Sequence, residues 1–98
     1  MQRTLSKINY RASEEDLLNV ALFGMTAAEW RMANPDKEGN MRDHATLEQL
    51  VVLSNMESIN ALLIRQGLFP DQRLFQLNSA AITQMKSLLN ASLTKRLK

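Results

Sequence analysis

Residues 46–66 read TLEQLVVLSNMESINALLIRQ and have the 3.6-residue apolar repeat of an α-helix, which Gly67 is expected to end. Two apolar stripes run along this predicted helix. The first consists of Leu47, Leu50, Val51, Ala61 and Leu62, with Ser54 and Ser58 between them. The second lies on nearly the opposite side and consists of Val52, Met56, Ile59 and Leu63. A surface helix needs only one such stripe, so we expect other elements or a second chain to enclose this helix.

Two shorter helices are predicted before it. Ser13 can cap the first, which is mostly apolar and therefore expected to be buried, and Gly24 is placed to end it in a left-handed turn. Thr26 and Glu29 match the capping box that starts a second helix. This helix should end near Ala33, since Pro35 disfavours helical geometry at the preceding residue. Residues 34–44 are then predicted to form a polar loop.

The long helix and a last helix are predicted to pack as an antiparallel pair. Either Asp43 or Thr46 could cap the long helix, and Pro70 suits the first turn of the last one. The short link between them makes antiparallel neighbours, and the small residues Ser54, Ser58 and Ala61 would allow a close approach. The core-facing positions of the last helix are predicted to be Leu74, Leu77, Ala81, Met85 and Leu88. The predicted fold is all-α, with four main helices.

Length and composition indicate one domain. The chain has 98 residues, 45% of them hydrophobic, and no cysteine. It divides into a basic lead segment at 1–11, a helical core at 12–90 and a basic tail at 91–98. No apolar run is longer than four residues and the start lacks a signal-peptide core, so we expect no membrane segment and a cytoplasmic location.

Charge is distributed unevenly along the chain. Residues 1–11 carry a net charge of +3, residues 86–98 carry +4, and the part between them carries −5. Basic ends can bind the phosphates of a nucleic acid, although solvated termini would have the same composition. The candidate nucleic-acid-binding residues are Arg3, Lys7, Arg11, Lys95, Arg96 and Lys98.

No pattern of residues indicates a catalytic or metal site. His44 is the single histidine, and adjacent side chains such as Asp43 and His44 do not face each other on a helix. The acids at 14–16 lack the spacing of a calcium loop and are typical of a first helical turn. We therefore expect no enzymatic activity, no cofactor and no small-molecule substrate.

Several strings of residues resemble the C-terminal region of KilA-N domain proteins, a phage and prophage family. The specific parts are TAAEWR at 26–31, GNMRD at 39–43 and EQLVVLSNMESINA at 48–61, and the similarity extends weakly to residues 3–11 and 16–24. The resemblance implies association with a DNA-binding protein, because the KilA-N domain that is presumed to bind DNA is absent here. Phe69 departs from the family pattern, in which relatives tend to have a capping serine.

These observations lead to two functional hypotheses. The first is a non-enzymatic helical accessory or oligomerisation module of a phage-type DNA-associated protein, whose partner is another copy or another protein. Its predicted interface is the second stripe together with the exposed ring of the last link: Val52, Met56, Ile59, Leu63 and Phe69. The alternative is a small nucleic-acid-binding protein that uses its basic termini.

Overall fold

The computed structural model describes the backbone of residues 13–97 and the side chains of residues 13–91. This part of the chain contains four α-helices and one short 3-10 helix, and it has no strand. The α-helices are α1 (Glu14–Phe23), α2 (Ala27–Ala33), α3 (Leu47–Arg65) and α4 (Pro70–Leu97), and the 3-10 helix is Met41–His44. The all-α prediction with four main helices is confirmed.

The helix ends follow local sequence signals. Ser13 caps α1 by accepting a hydrogen bond from the Asp16 backbone N–H at 3.0 Å, and Gly24 ends this helix with a φ of 80°. At the start of α2, the side chains of Thr26 and Glu29 each accept a hydrogen bond from the other's backbone N–H. Both features were predicted, because a cap requires only residues within one turn of each other.

Thr46, and not Asp43, caps α3 through a reciprocal box with Gln49. Asp43 instead closes a second box, in which its carboxylate accepts a hydrogen bond from the Asn40 backbone N–H at 2.8 Å. That box starts the 3-10 helix. Residues 34–44 are therefore not simply a polar loop, since their last four residues form a helical turn.

The core lies between α1, α3 and α4. The antiparallel pairing of α3 and α4 is confirmed, and Asn55 donates to Gln84 Oε1 across it at 3.0 Å. The first helix runs alongside α4 in the same direction, because Glu14 bonds Arg73 near the start of α4 and Asn78 donates to the carbonyl of Ala21 one helix length later. The buried apolar side chains of this core are Leu17, Leu18, Val20, Ala21, Val52, Leu53, Met56, Leu63, Leu74, Leu77 and Ala81.

Two expectations about these helices need correction. Ser54, Ser58 and Ala61 are exposed, so they do not provide the close approach between α3 and α4. The larger side chains on the opposite side of α3 face α4 instead, because burying them removes more apolar surface from water. Helix α4 also continues through residue 97, so that residues 91–97 are helical and continuous with the core helix.

Candidate protein interface

The apolar stripe that was predicted to contact a partner faces the inside of the chain. Val52 and Met56 are completely buried, Leu63 is almost completely buried, and Ile59 is partly buried against the same core. Both α1 and α4 pack on this side of α3. The structure thus corrects the prediction for these four residues: they form the chain's own core and not a free surface.

The opposite stripe of α3 is the one that faces solvent. The exposed fractions are 73% for Leu47, 40% for Leu50, 42% for Val51 and 54% for Leu62. We define the outer face of α3 as these four residues together with the exposed residues Ser54, Ser58 and Ala61. Helix α3 is thus apolar on two sides, and the described part of the chain covers only one of them.

A second exposed apolar strip follows α4. Phe75, Ile82 and Leu89 are exposed at intervals of seven residues, which places them on one side of the helix. Ile82 and Leu89 line a shallow groove with Leu22 at the end of α1. Phe69 is also exposed, in the link before α4, so its assignment to a contact surface stays a prediction.

A polar cluster at the start of α4 holds three elements together, and sequence reasoning missed it. The buried guanidinium of Arg73 contacts Glu14 Oε1 at 2.5 Å and Asn60 Oδ1 at 2.9 Å, and its Nε donates to the Leu68 carbonyl at 3.3 Å. Asn60 Nδ2 donates to the same Glu14 oxygen at 2.8 Å. One signal was available in the sequence: Asn60 is a polar residue on the buried stripe between Met56 and Leu63.

This cluster affects the titration of Glu14. The hydrogen bond from Arg73 is the largest cause and lowers the pKa of the Glu14 carboxyl below 4.5, while burial opposes the shift. The hydrogen bond from Asn60 and the charge of Arg73 lower this pKa further. The cluster therefore favours the ionised carboxylate.

A smaller cluster connects the 3-10 helix to α1. The guanidinium of Arg42 donates from Nε and from a terminal nitrogen to Asn19 Oδ1 at 3.4 and 3.3 Å. Its terminal nitrogens also lie 3.9 Å from carboxylate oxygens of Glu15 and Glu57. Asn19 is buried among the apolar residues of α1, and this contact supplies a partner for its amide oxygen.

The loop after α2 is folded around Arg31. Its guanidinium donates to the carbonyls of Asn34, Lys37 and Gly39. His44 contacts the Glu38 carbonyl through Nε2 at 2.8 Å and lies 5.2 Å from the ring centre of Trp30. These contacts organise the backbone of residues 34–44, and they place no acid against His44.

The basic candidate residues are placed only in part. Arg3, Lys7, Arg11 and Lys98 lie outside the described residues. Lys95 and Arg96 belong to the last turns of α4, where only the backbone is described. The nucleic-acid interface therefore stays a prediction.

Searches for other kinds of site and for relatives gave no match. Within the described residues, no group of three or more potential ligands could hold a metal ion, and none of the helices has the length and apolarity to cross a membrane. No protein-family model, no curated protein and no solved structure matches this chain.

Proposed function

We propose that this chain is a helical oligomerisation module without catalytic activity, and that it is the accessory part of a phage-type DNA-associated protein in the cytoplasm. The observation that carries the proposal is the outer face of α3. It presents four large apolar side chains to water on one helix, opposite the side that forms the core. A continuous apolar face of this kind is typical of a surface that binds another protein.

The contacts of the titratable side chains support a structural role. The carboxylate of Glu14 bonds Arg73, that of Asp43 bonds a backbone N–H, and His44 bonds a backbone carbonyl. Each of these bonds holds a helix end or a loop in position. Catalytic groups, in contrast, are expected to converge on a common cleft where a substrate can reach them.

The phage-type context rests on the resemblance described above. Its most specific strings contain residues that build the fold, since Trp30 is buried and Arg42 bonds the buried Asn19. A protein that shares these strings is therefore expected to share the packing of the 3-10 helix against α1.

Sedimentation equilibrium of the full chain tests the proposal. Between low and high micromolar concentration, we expect the average mass to rise above the monomer value of 11.1 kDa. Leu62→Gln should reduce this rise, because it places a polar group in the contact. Met32→Gln is the matched control, since Met32 is exposed on α2, away from the outer face of α3. A chain that stays monomeric throughout, or equal effects of both substitutions, would contradict the proposal.

One feature favours the alternative of nucleic-acid binding. Helix α4 has no acidic residue after Asp71, and it carries Lys86, Lys95 and Arg96. We propose, as a second candidate, that these bases contact phosphates. Replacing Lys95 and Arg96 with glutamine should then weaken duplex-DNA binding and lower its salt dependence by about two units of log–log slope, whereas Lys37→Gln should change neither. Absence of binding at about 50 mM salt would exclude this candidate.

A further inference from the structure

We infer that a second copy of this chain covers the outer face of α3, and that the two α3 helices pack antiparallel about a two-fold axis near residue 56. The inference rests on the proposed function, because it names the partner of the same surface. It adds the identity of the partner, the orientation of the two helices and the register between them.

The outer face is symmetric about its own centre. Leu50 and Leu62 lie six residues before and after residue 56, and Ser54 and Ser58 lie two residues before and after it. Val51 and Ala61 are likewise five residues away on each side. At about 100° per residue, the members of each pair stand at equal angles from the middle of the face. A two-fold interface requires this property, because one patch must contact a copy of itself.

The side-chain sizes along the face also suit an antiparallel register. With the axis near residue 56, Leu50 lies opposite Ala61 of the second copy, so that a large side chain meets a small one. Ser54 and Ser58 meet the same pair of residues in the centre. Small residues there allow the helix axes to approach to about 8 Å, the short end of the usual range for packed helices.

Charge distinguishes the antiparallel orientation from the parallel one. Helix α3 carries an acid, Glu48, in its first turn and a base, Arg65, in its last turn. Antiparallel packing brings the basic end of each helix to the acidic end of the other, whereas parallel packing brings like charges together. The helix dipoles favour the same orientation. Between the two ends, the outer face contains no charged residue that would repel its copy.

The dimension of the face sets the expected strength. A helix of 19 residues is about 28 Å long, so a contact along one of its sides is smaller than a standard protein interface. We therefore expect dissociation constants on the order of micromolar, and mixed populations of monomer and dimer at ordinary working concentrations.

Cysteine cross-linking tests the geometry, because the chain has no native cysteine. Leu50→Cys and Ala61→Cys each place one thiol on the outer face, and the two positions are about 16 Å apart along one helix. When the two variants are mixed and oxidised, the antiparallel dimer predicts mixed disulfides several-fold in excess of disulfides within either variant. Intact mass separates the three products. Met32→Cys, mixed with either variant, is the control for random collision.

The outcomes separate this inference from the proposed function. Disulfides that form mainly within each variant would indicate parallel packing and overturn the inference, while oligomerisation would stand. Self-association in the ultracentrifuge without cross-linking above the Met32→Cys control would place the contact on another surface and overturn the inference as well. A wild-type chain that remains monomeric would overturn both. Circular dichroism confirms that each variant is folded before it is scored.

Discussion

At the start of α4, the buried guanidinium of Arg73 joins residues from three parts of the chain. It bonds Glu14 on α1, Asn60 on α3 and the carbonyl of Leu68 in the link. A buried charge is costly unless it is paired and fully hydrogen-bonded. The arrangement therefore stabilises one specific placement of α1 against the α3–α4 pair, since only that placement supplies all three partners.

Removing the charge of Glu14 should reduce stability. Glu14→Gln leaves the Arg73 guanidinium buried without its counter-ion. The Glu14 side chain is about half exposed, so water screens the pair, and we expect a loss of about 1 kcal/mol in the free energy of unfolding. Urea denaturation measures this loss. Glu15→Gln is the control, because Glu15 is more exposed and its carboxylate lies 3.9 Å from Arg42; an equal effect in both variants would contradict a specific role for Glu14.

The same pair predicts a pH dependence. The folded-state pKa of Glu14 lies below its reference value of 4.5, so its contribution is fully present above that pH and is lost as the pH falls through the folded pKa. The free energy of unfolding of the wild-type chain should therefore decrease between about pH 5 and pH 3. In Glu14→Gln this decrease should be smaller, and identical pH profiles for the two proteins would refute the coupling.

At the scale of elements, residues 34–44 show how a polar segment becomes ordered without a core of its own. Arg31 donates to three carbonyls of this segment, and the box between Asn40 and Asp43 starts the 3-10 helix. Only Met41 in the segment is buried. Its order therefore depends on hydrogen bonds more than on apolar burial, and each of these bonds requires a particular backbone path.

Two glycine substitutions should separate backbone strain from a lost cap. Gly24 and Gly39 both have a φ near 80°, but an added Cβ meets nothing at Gly24 and lies 2.6 Å from Asp43 Oδ2 at Gly39. Gly24→Ala should cost about 1–2 kcal/mol from strain alone. Gly39→Ala should cost about 1 kcal/mol more in the free energy of unfolding, because Asp43 must move away from the Asn40 N–H. Equal costs in denaturation experiments would mean that Asp43 moves without losing this bond.

In the whole molecule, the two sides of α3 have different tasks. One side packs between α1 and α4, and the other carries most of the large apolar side chains that α3 leaves in water. The fold is thus complete around one stripe and open on the other. Self-association through the open side would remove that apolar surface from water without changing the core.

A pair of substitutions should distinguish the two sides. Met56→Ala removes a completely buried side chain, and we expect it to lower the free energy of unfolding by about 2–5 kcal/mol. Leu62→Gln should change it by less than about 0.5 kcal/mol at concentrations where the chain is monomeric. Both values come from the same denaturation assay. If Leu62→Gln were as costly as Met56→Ala, the outer face would have to be covered within the single chain.

The local features were predictable because each depends on residues within one turn of each other. The caps at Ser13, Thr26 and Thr46 and the left-handed turn at Gly24 all belong to this class. The helical repeat also indicated an all-α fold and an unusually apolar α3. The antiparallel pairing of α3 and α4 followed from the short link between them.

Only the tertiary structure decided which stripe of α3 is inside. Both stripes have the same period and similar apolar character, and the hydrophobic effect has no direction that a single helix could encode. The choice depends on how α1 and α4 reach α3 from distant positions in the chain. The Arg73–Glu14 pair belongs to the same class, because 59 residues separate its members and no local pattern relates them.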